Sequence, residues 1–297
     1  MSHVEIYEIP ALRSPIMVIA FGGWSDAGEA ATGVITHLLT VLDSSDSEGI
    51  DMGTSTLIAE VDSEDFYDFQ VNRPLIFVDS SMIRSLTWPG VQIFGVRNPD
   101  GDRDFILVRG VEPSMRWRTF ASEILDLAED LEVELVITLG SMLADTPHTR
   151  AIPVSGTGAH PDIATRLGVE VSRYEGPTGI LAVIQDGCVR RGIDAIALWA
   201  AVPHYANATP SPKATLALVN GLEDFLEISL PQGELPEGAL AWESAVTEMV
   251  KDDSDIEEYI KTLEESKDAN EISDDSGEEL AREVERFLRR QNNSNES

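Results

Sequence analysis

Apolar runs closed by glycine recur along the first two thirds of the chain, and between them apolar positions return every three or four residues. Ile16 to Phe21 is an unbroken apolar run ending at Gly22-Gly23, the pattern of a strand buried on both faces. Asp26 then precedes a helical stretch, Ala27 to Leu42, with Ile35, Leu38, Leu39 and Leu42 on one side. Asp26 is placed to cap that helix, with Glu29 three residues on completing a capping-box-like pair. Thr56 to Val61 and Leu75 to Val78 read as short strands. Val91 to Arg97 and Asp104 to Val108 flank Asn98-Pro99-Asp100-Gly101-Asp102, a hairpin with a Pro-Asp-Gly turn. Helical spacing covers Met115 to Leu131, Ala159 to Leu167, Thr178 to Arg190 and Pro212 to Leu226, while Leu135 to Leu139, stopped by Gly140, and Ile196 to Val202 read as buried strands. Such alternation predicts an α/β fold with a central, largely parallel sheet covered on both faces, made mixed by the hairpin.

Past residue 232 the pattern changes. Pro231, Gly233, Pro236 and Gly238 punctuate a junction, and the chain divides there into a core, 1–232, and a C-terminal helical extension, 233–297. Leu240 to Leu263 and Ser276 to Arg290 carry helical spacing, joined by a polar linker at Ser266 to Asp275. The second segment has a narrow stripe of Leu280, Val284, Phe287 and Leu288, with Arg286, Arg289 and Arg290 at the end that favours cations. From Glu234 to Ser297 there are 20 acids and 7 bases in 64 residues, against 33 and 14 before it, so the extension is the more acidic part per residue. The stripe is read either as a regulatory arm or as an ordinary helical extension packing on its own core or on a neighbouring subunit.

Charge narrows the partners. The formal net charge of −32 repels phosphate backbones and anionic lipid, so neither nucleic acid nor membrane is an expected partner. It steers a basic protein surface toward the chain, and adaptation to high salt is an alternative account of the same acidity. No apolar stretch approaches the ~18 residues needed to span a bilayer, and the opening residues, with Glu5 and Glu8, carry no secretory signal pattern. Cys188, the single cysteine, excludes an intrachain disulfide and reads as a small core residue. The expected location is a reducing cytoplasm.

In sheets of this type ligands sit beyond the carboxyl ends of strands. Four segments qualify: Gly22-Gly23-Trp24-Ser25-Asp26, Gly140 to Arg150, Tyr174 to Gly179, and Pro203-His204-Tyr205. In the first, Gly22, Gly23 and Asp26 form either an anion cradle or a tight strand-to-helix turn, and Trp24 is either an interface anchor or a lid. It matches neither a P-loop nor a dinucleotide fingerprint. Ser141 lies in Leu139-Gly140-Ser141-Met142-Leu143, which is not a nucleophile elbow, so no catalytic residue is assigned. His148, Thr149 and Arg150, with His204, are candidates for holding a small anion. The five histidines, at 3, 37, 148, 160 and 204, show no metal-ligand spacing, and neither metal nor cofactor is expected.

Phe21 to Ala31, Asp68 to Pro74, Gly140 to Arg150 and Tyr174 to Gly179 together resemble the proteasome assembly chaperone family, specifically its actinobacterial-type branch, in order from about residue 4 to 230. The resemblance implies a three-layer α/β/α sandwich similar to the phosphorylase/hydrolase-like fold, and assembly into homo- or hetero-oligomers. Relatives escort proteasome α subunits during ring assembly. Members that dock on the proteasome often end in a hydrophobic-Tyr-any tripeptide, whereas this chain ends Ser294-Asn295-Glu296-Ser297, so that device is not expected. The expected function is a non-enzymatic assembly chaperone or scaffold with a protein partner, self-associating, with a trimer favoured. The alternative is a small-molecule enzyme or sensor that binds a nucleoside-like or phosphate-like anion at the strand ends.

Overall fold

The structure is a computed structural model that describes residues 3–42, 55–98, 101–206, 210–273, 285–286 and 288–290. Its strands are β1 (Val4–Ile6), β2 (Ile16–Gly22), β3 (Thr56–Val61), β4 (Leu75–Val78), β5 (Arg84–Thr87), β6 (Val91–Val96), β7 (Phe105–Val111), β8 (Leu135–Ala144), β9 (Val154–Gly158), β10 (Glu170–Val171) and β11 (Asp194–Pro203). The helices are α1 (Ala30–Leu42), α2 (Trp117–Asp130), α3 (Pro161–Leu167), α4 (Ile180–Arg191), α5 (Pro212–Leu226), α6 (Leu235–Val250) and α7 (Ser254–Ser273). Nine strands form one mixed sheet in the order β1-β3-β6-β7-β2-β8-β11-β9-β10, while β4 and β5 make a separate two-stranded ribbon. The α/β fold class expected from the alternation is the one observed, a mixed, largely parallel sheet with flanking helices.

The unbroken run Ile16 to Phe21 is explained by its place. Strand β2 runs parallel to both β7 and β8, with Ile16 opposite Phe105 on one side and Leu135 on the other. All six residues are buried, so neither face offers a position for a polar side chain. On the other side of β7 the ladder turns antiparallel through β6, β3 and β1, the expected hairpin being β6–β7. Turn residues 99 and 100 lie outside the described residues.

By their contacts the described residues fall into two compact units, one gathering Met1–Ser25, Leu42–Leu139 and Thr157–Ala197, the other Asp26–Val41, Gly140–Gly156 and Leu198–Ser297. In the first, α2 packs on α4, and Gly187 leaves the space that the Leu125 side chain fills. Cys188 is buried in α4, and burial pushes its thiol up to about 12, which fits a core role. In the second, α5 packs on α6. Arg286 and Arg289 pair with Asp224 and Arg290 with Glu223, so the end of the extension is held on α5 by charge.

Several local expectations are corrected. Gly140 does not end its strand: β8 continues to Ala144, because that glycine makes room for the ring of Trp199, which a Cβ would strike. The helix after Asp26 begins at Ala30, since Gly28 and Glu29 adopt positive φ (64° and 50°) and form a separate turn. The capping box with Glu29 is therefore not made. Leu240 to Leu263 is two helices, broken where the Asp253 carboxylate accepts the N–H groups of Asp255 and Ile256 and starts α7. That helix runs on to Ser273, through most of the expected linker. Leu280, Val284 and Phe287 lie outside the described residues. Strands β1, β5, β9 and β10 carry too few apolar residues to announce themselves.

Candidate functional site

The strand-end residues belong to two groups, each inside one unit. In the first unit, β2 delivers Gly22 and Gly23 to a turn in which Gly23 takes φ 130°, a conformation open to glycine. The Gly22 carbonyl accepts the N–H of Glu112 (2.9 Å). The Glu112 carboxylate in turn accepts the N–H of Ile180 (2.8 Å), at the N-terminus of α4. Gly179 there has no side chain of its own to cap the helix, so an internal carboxylate takes the place an external anion would take. Trp24 is 64% exposed beside that turn, and its neighbour Ser25 is buried with a hydroxyl that has no hydrogen-bond partner among the described residues.

In the second unit, Asp26 and Ser141 meet across an isolated parallel bridge. The Asp26 carboxylate accepts the N–H groups of Ala31 (2.8 Å) and Thr32 (3.2 Å) and the Thr32 hydroxyl, and so caps α1 from several residues upstream. Burial outweighs these bonds and raises its pKa. Ser141, wholly buried on β8, donates its hydroxyl to the carbonyl of Ala27 (2.8 Å). It sits in the strand and is not presented by a loop.

His148, Thr149 and Arg150 follow β8 and are met by the acidic extension. His148 is buried, and its backbone N–H donates to the Tyr205 hydroxyl (2.8 Å). That hydroxyl has one proton to give, and the ring Nδ1 lies 3.0 Å from it. Nδ1 is then the acceptor, so the neutral ring carries its proton on Nε2, aimed at the Thr247 hydroxyl at 3.0 Å, which donates to the Glu243 carbonyl (2.9 Å). Burial lowers the His148 pKa; the charges of Glu243 and Glu264 oppose this, and the ammonium of Lys213, which donates to the His148 carbonyl and pairs with Glu243, adds to it, the net direction being down. Thr149 donates to Glu264. Arg150 makes a two-point pair with Asp268 (2.8 and 3.0 Å) and also reaches Glu264. The Arg150 bonds hold the Asp268 carboxyl below its usual range. His204 pairs with Asp145 (3.3 Å), which also accepts from Tyr259 (2.9 Å), and the rings of His148, His204, Tyr205 and Tyr259 pack edge to face.

The structure thus brings together His148, Thr149, Arg150 and His204 under α6 and α7, joins Asp26 to Ser141 separately, and places Gly22, Gly23 and Trp24 beside Glu112. Ser141 and His148 make no hydrogen bond with each other, and each spends its donor elsewhere. Sequence reasoning placed Tyr205 in a qualifying segment without giving it a role, and missed Glu112, Lys213, Thr247, Tyr259, Glu264 and Asp268. Of these, only Glu264 and Asp268 carried a signal, standing one helical turn apart on α7. Among the described residues no cluster of three or more His, Cys, Asp or Glu has metal-holding geometry, and no helix is long and apolar enough to cross a membrane.

Comparison with known proteins gives the family. The sequence profile of the PAC2 family matches residues 20–250. A PAC2 family protein from Streptomyces avermitilis has a similar crystal structure, with 47% identity over 82% of this chain and 99% of that one and a TM-score of 0.74. A Mycobacterium tuberculosis proteasome-assembly chaperone homologue has 44% identity over 83% of this chain and 99% of that one, with a TM-score of 0.72. An archaeal proteasome activator from Pyrococcus furiosus, 18% identical, has a TM-score of 0.64 over 84% of this chain and 99% of that one, a likeness of fold. The search of curated proteins gave no match.

Proposed function

This chain belongs to the PAC2 family, and from that premise we propose that it is a non-enzymatic, cytoplasmic assembly chaperone or scaffold that works as a homo-oligomer, a trimer in our reading, on a proteasome-related protein partner. The Mycobacterium tuberculosis relative described as a proteasome-assembly chaperone homologue supports the partner class. The observation that carries the non-enzymatic part is the engagement of His148, Thr149, Arg150 and His204 with groups of their own chain, which leaves recognition to surfaces. An acidic exterior suits the transient capture of basic surfaces on unassembled subunits. The test is affinity capture from cells of the native host after mild crosslinking. A stoichiometric protein partner is expected, and repeated recovery of the chain alone would overturn the reading.

The second reading, a sensor of small anions, rests on Thr149 and Arg150, which hold two carboxylates of α7 where a free oxyanion would compete. In it His148 and His204, in the same unit, would stand beside the ligand. Thermal-shift screening against inorganic phosphate, nucleosides and nucleotides decides it. A concentration-dependent rise in melting temperature that Arg150→Ala removes favours the sensor, and no shift with any of them excludes it.

A further inference from the structure

Residues 68–90 hold the largest unexplained feature of the first unit. Strands β4 and β5 pair antiparallel, Leu75 opposite Thr87, Ile76 opposite Leu86, Phe77 opposite Ser85 and Val78 opposite Arg84. Leu75, Ile76, Phe77, Val78, Met82, Ile83, Leu86 and Trp88 are all between 50% and 80% exposed. Successive side chains of a strand point to opposite faces, so four exposed apolar residues in a row mean that both faces of this ribbon are bare. An isolated two-stranded hairpin is at best marginally stable in water. This one is nevertheless firmly shaped. Asp79 accepts the N–H groups of Ser81 and Ile83 (2.8 Å each) and closes the tip, Met82 takes φ 61°, and Phe69 packs edge to face on Trp88 at the base. A shaped apolar ribbon whose two faces are half or more exposed among the described residues is the form of an interface.

Charge selects its occupant. The chain carries −32, yet residues 68–90 hold two acids, Asp68 and Asp79, and two bases, Arg73 and Arg84, and so are neutral. Two copies approaching through most of their surface meet like charge, whereas through this ribbon they do not. A foreign partner drawn by the acidity of the chain would be basic and would meet the acidic surface, not this neutral apolar one. Size agrees as well. Eight large apolar side chains at half exposure offer on the order of 800 Å², about what each partner contributes to a stable protein interface.

We infer that the β4–β5 ribbon is the self-association surface of this protein, packing its apolar faces against a second copy of the chain. The assignment rests on the homo-oligomeric reading above and names the surface that performs it. The experiment measures mass by sedimentation and light scattering over a range of protein concentrations, for the wild type and for Phe77→Asp, Ile83→Asp and a control, Leu240→Asp. The control adds the same charge at an exposed apolar position of α6. The wild type is expected above the 32.4 kDa of one chain, both ribbon variants at that mass with a self-dissociation constant raised at least ~10-fold, and the control unchanged. Unaltered chemical-unfolding midpoints at low concentration show that the variants fold. Hydrogen exchange of amides 75–87 in the wild type serves as a readout free of substitution, with protection expected to grow with concentration. A wild type that stays larger than one chain while both ribbon variants match it overturns the surface and leaves the oligomeric reading standing. A wild type at 32.4 kDa throughout overturns that reading itself. Ribbon variants that keep their mass but lose a captured foreign protein would overturn the second copy as occupant.

Discussion

At the scale of single residues, Gly140 and His148, which the sequence singled out, and Gly28, which only the structure does, carry different physical work. Gly140 holds the ring of Trp199 against the strand backbone, and any side chain there must push that ring away. Gly140→Ala is therefore expected to destabilise the chain by about 1–3 kcal/mol, read from the urea midpoint. Gly28 combines φ 64° with close approach to Ser211, whose N–H donates to the Gly28 carbonyl (2.7 Å), so it tolerates no side chain either. His148 is buried and neutral, faced by Tyr205, Thr247, Lys213, Glu243 and Glu264. Its folded pKa is below the unfolded value, so its protons bind the unfolded chain more readily. The stability linked to it is present above the free imidazole value of ~6.5 and falls as pH drops below that value. Urea midpoints compared at about neutral pH and about one unit below that value should fall, and fall less in His148→Gln. An equal fall in both proteins would remove His148 as the cause.

At the scale of elements, the acidic extension behaves as a cover. α6 supplies Thr247, and α7 supplies Tyr259, Glu264 and Asp268, to the loop that follows β8, while Glu243 of α6 pairs with Lys213 of α5. Each ion pair is partly solvated, and exposed pairs are worth roughly 0–1 kcal/mol, so no single one holds the helix. Arg150→Ala is expected to leave the global unfolding midpoint nearly unchanged while speeding hydrogen exchange along α7 several-fold, because local opening needs far less than global unfolding. If exchange along α7 is unaltered in this variant, the Arg150 pairs do not hold it. Among the described residues of the extension, Val246, Val250 and Ile260 form a small apolar cluster with Ala206, with Tyr205, Trp242 and Ile256 packed against it. Charge pairing does the rest.

For the whole molecule, self-association of a chain at −32 works against its own field. Raising ionic strength from ~0.01 to ~1 M shortens the Debye length from ~30 to ~3 Å and removes that penalty. Self-association through the apolar ribbon is therefore expected to strengthen with salt, whereas capture of a basic partner weakens. Sedimentation across that range checks the first, and capture yield checks the second. Opposite slopes support two separate surfaces. Parallel slopes would mean that one kind of contact serves both.

The sequence by itself determined the α/β class, the central buried strands, the β6–β7 hairpin and the family, because Ile16 to Phe21 and its like must be shielded on both sides and local period encodes that requirement directly. It also offered His148, Thr149, Arg150 and His204 as candidates for holding a small anion, through their place after strands. Tertiary structure alone decided what those residues touch. Glu112 caps a helix 68 residues away, and Asp268 reaches Arg150 across 118. Such pairings depend on where the chain returns in space, which no local periodicity records. The same holds for β4: its apolar run looks in sequence like any buried strand, and only the path of the chain left it uncovered.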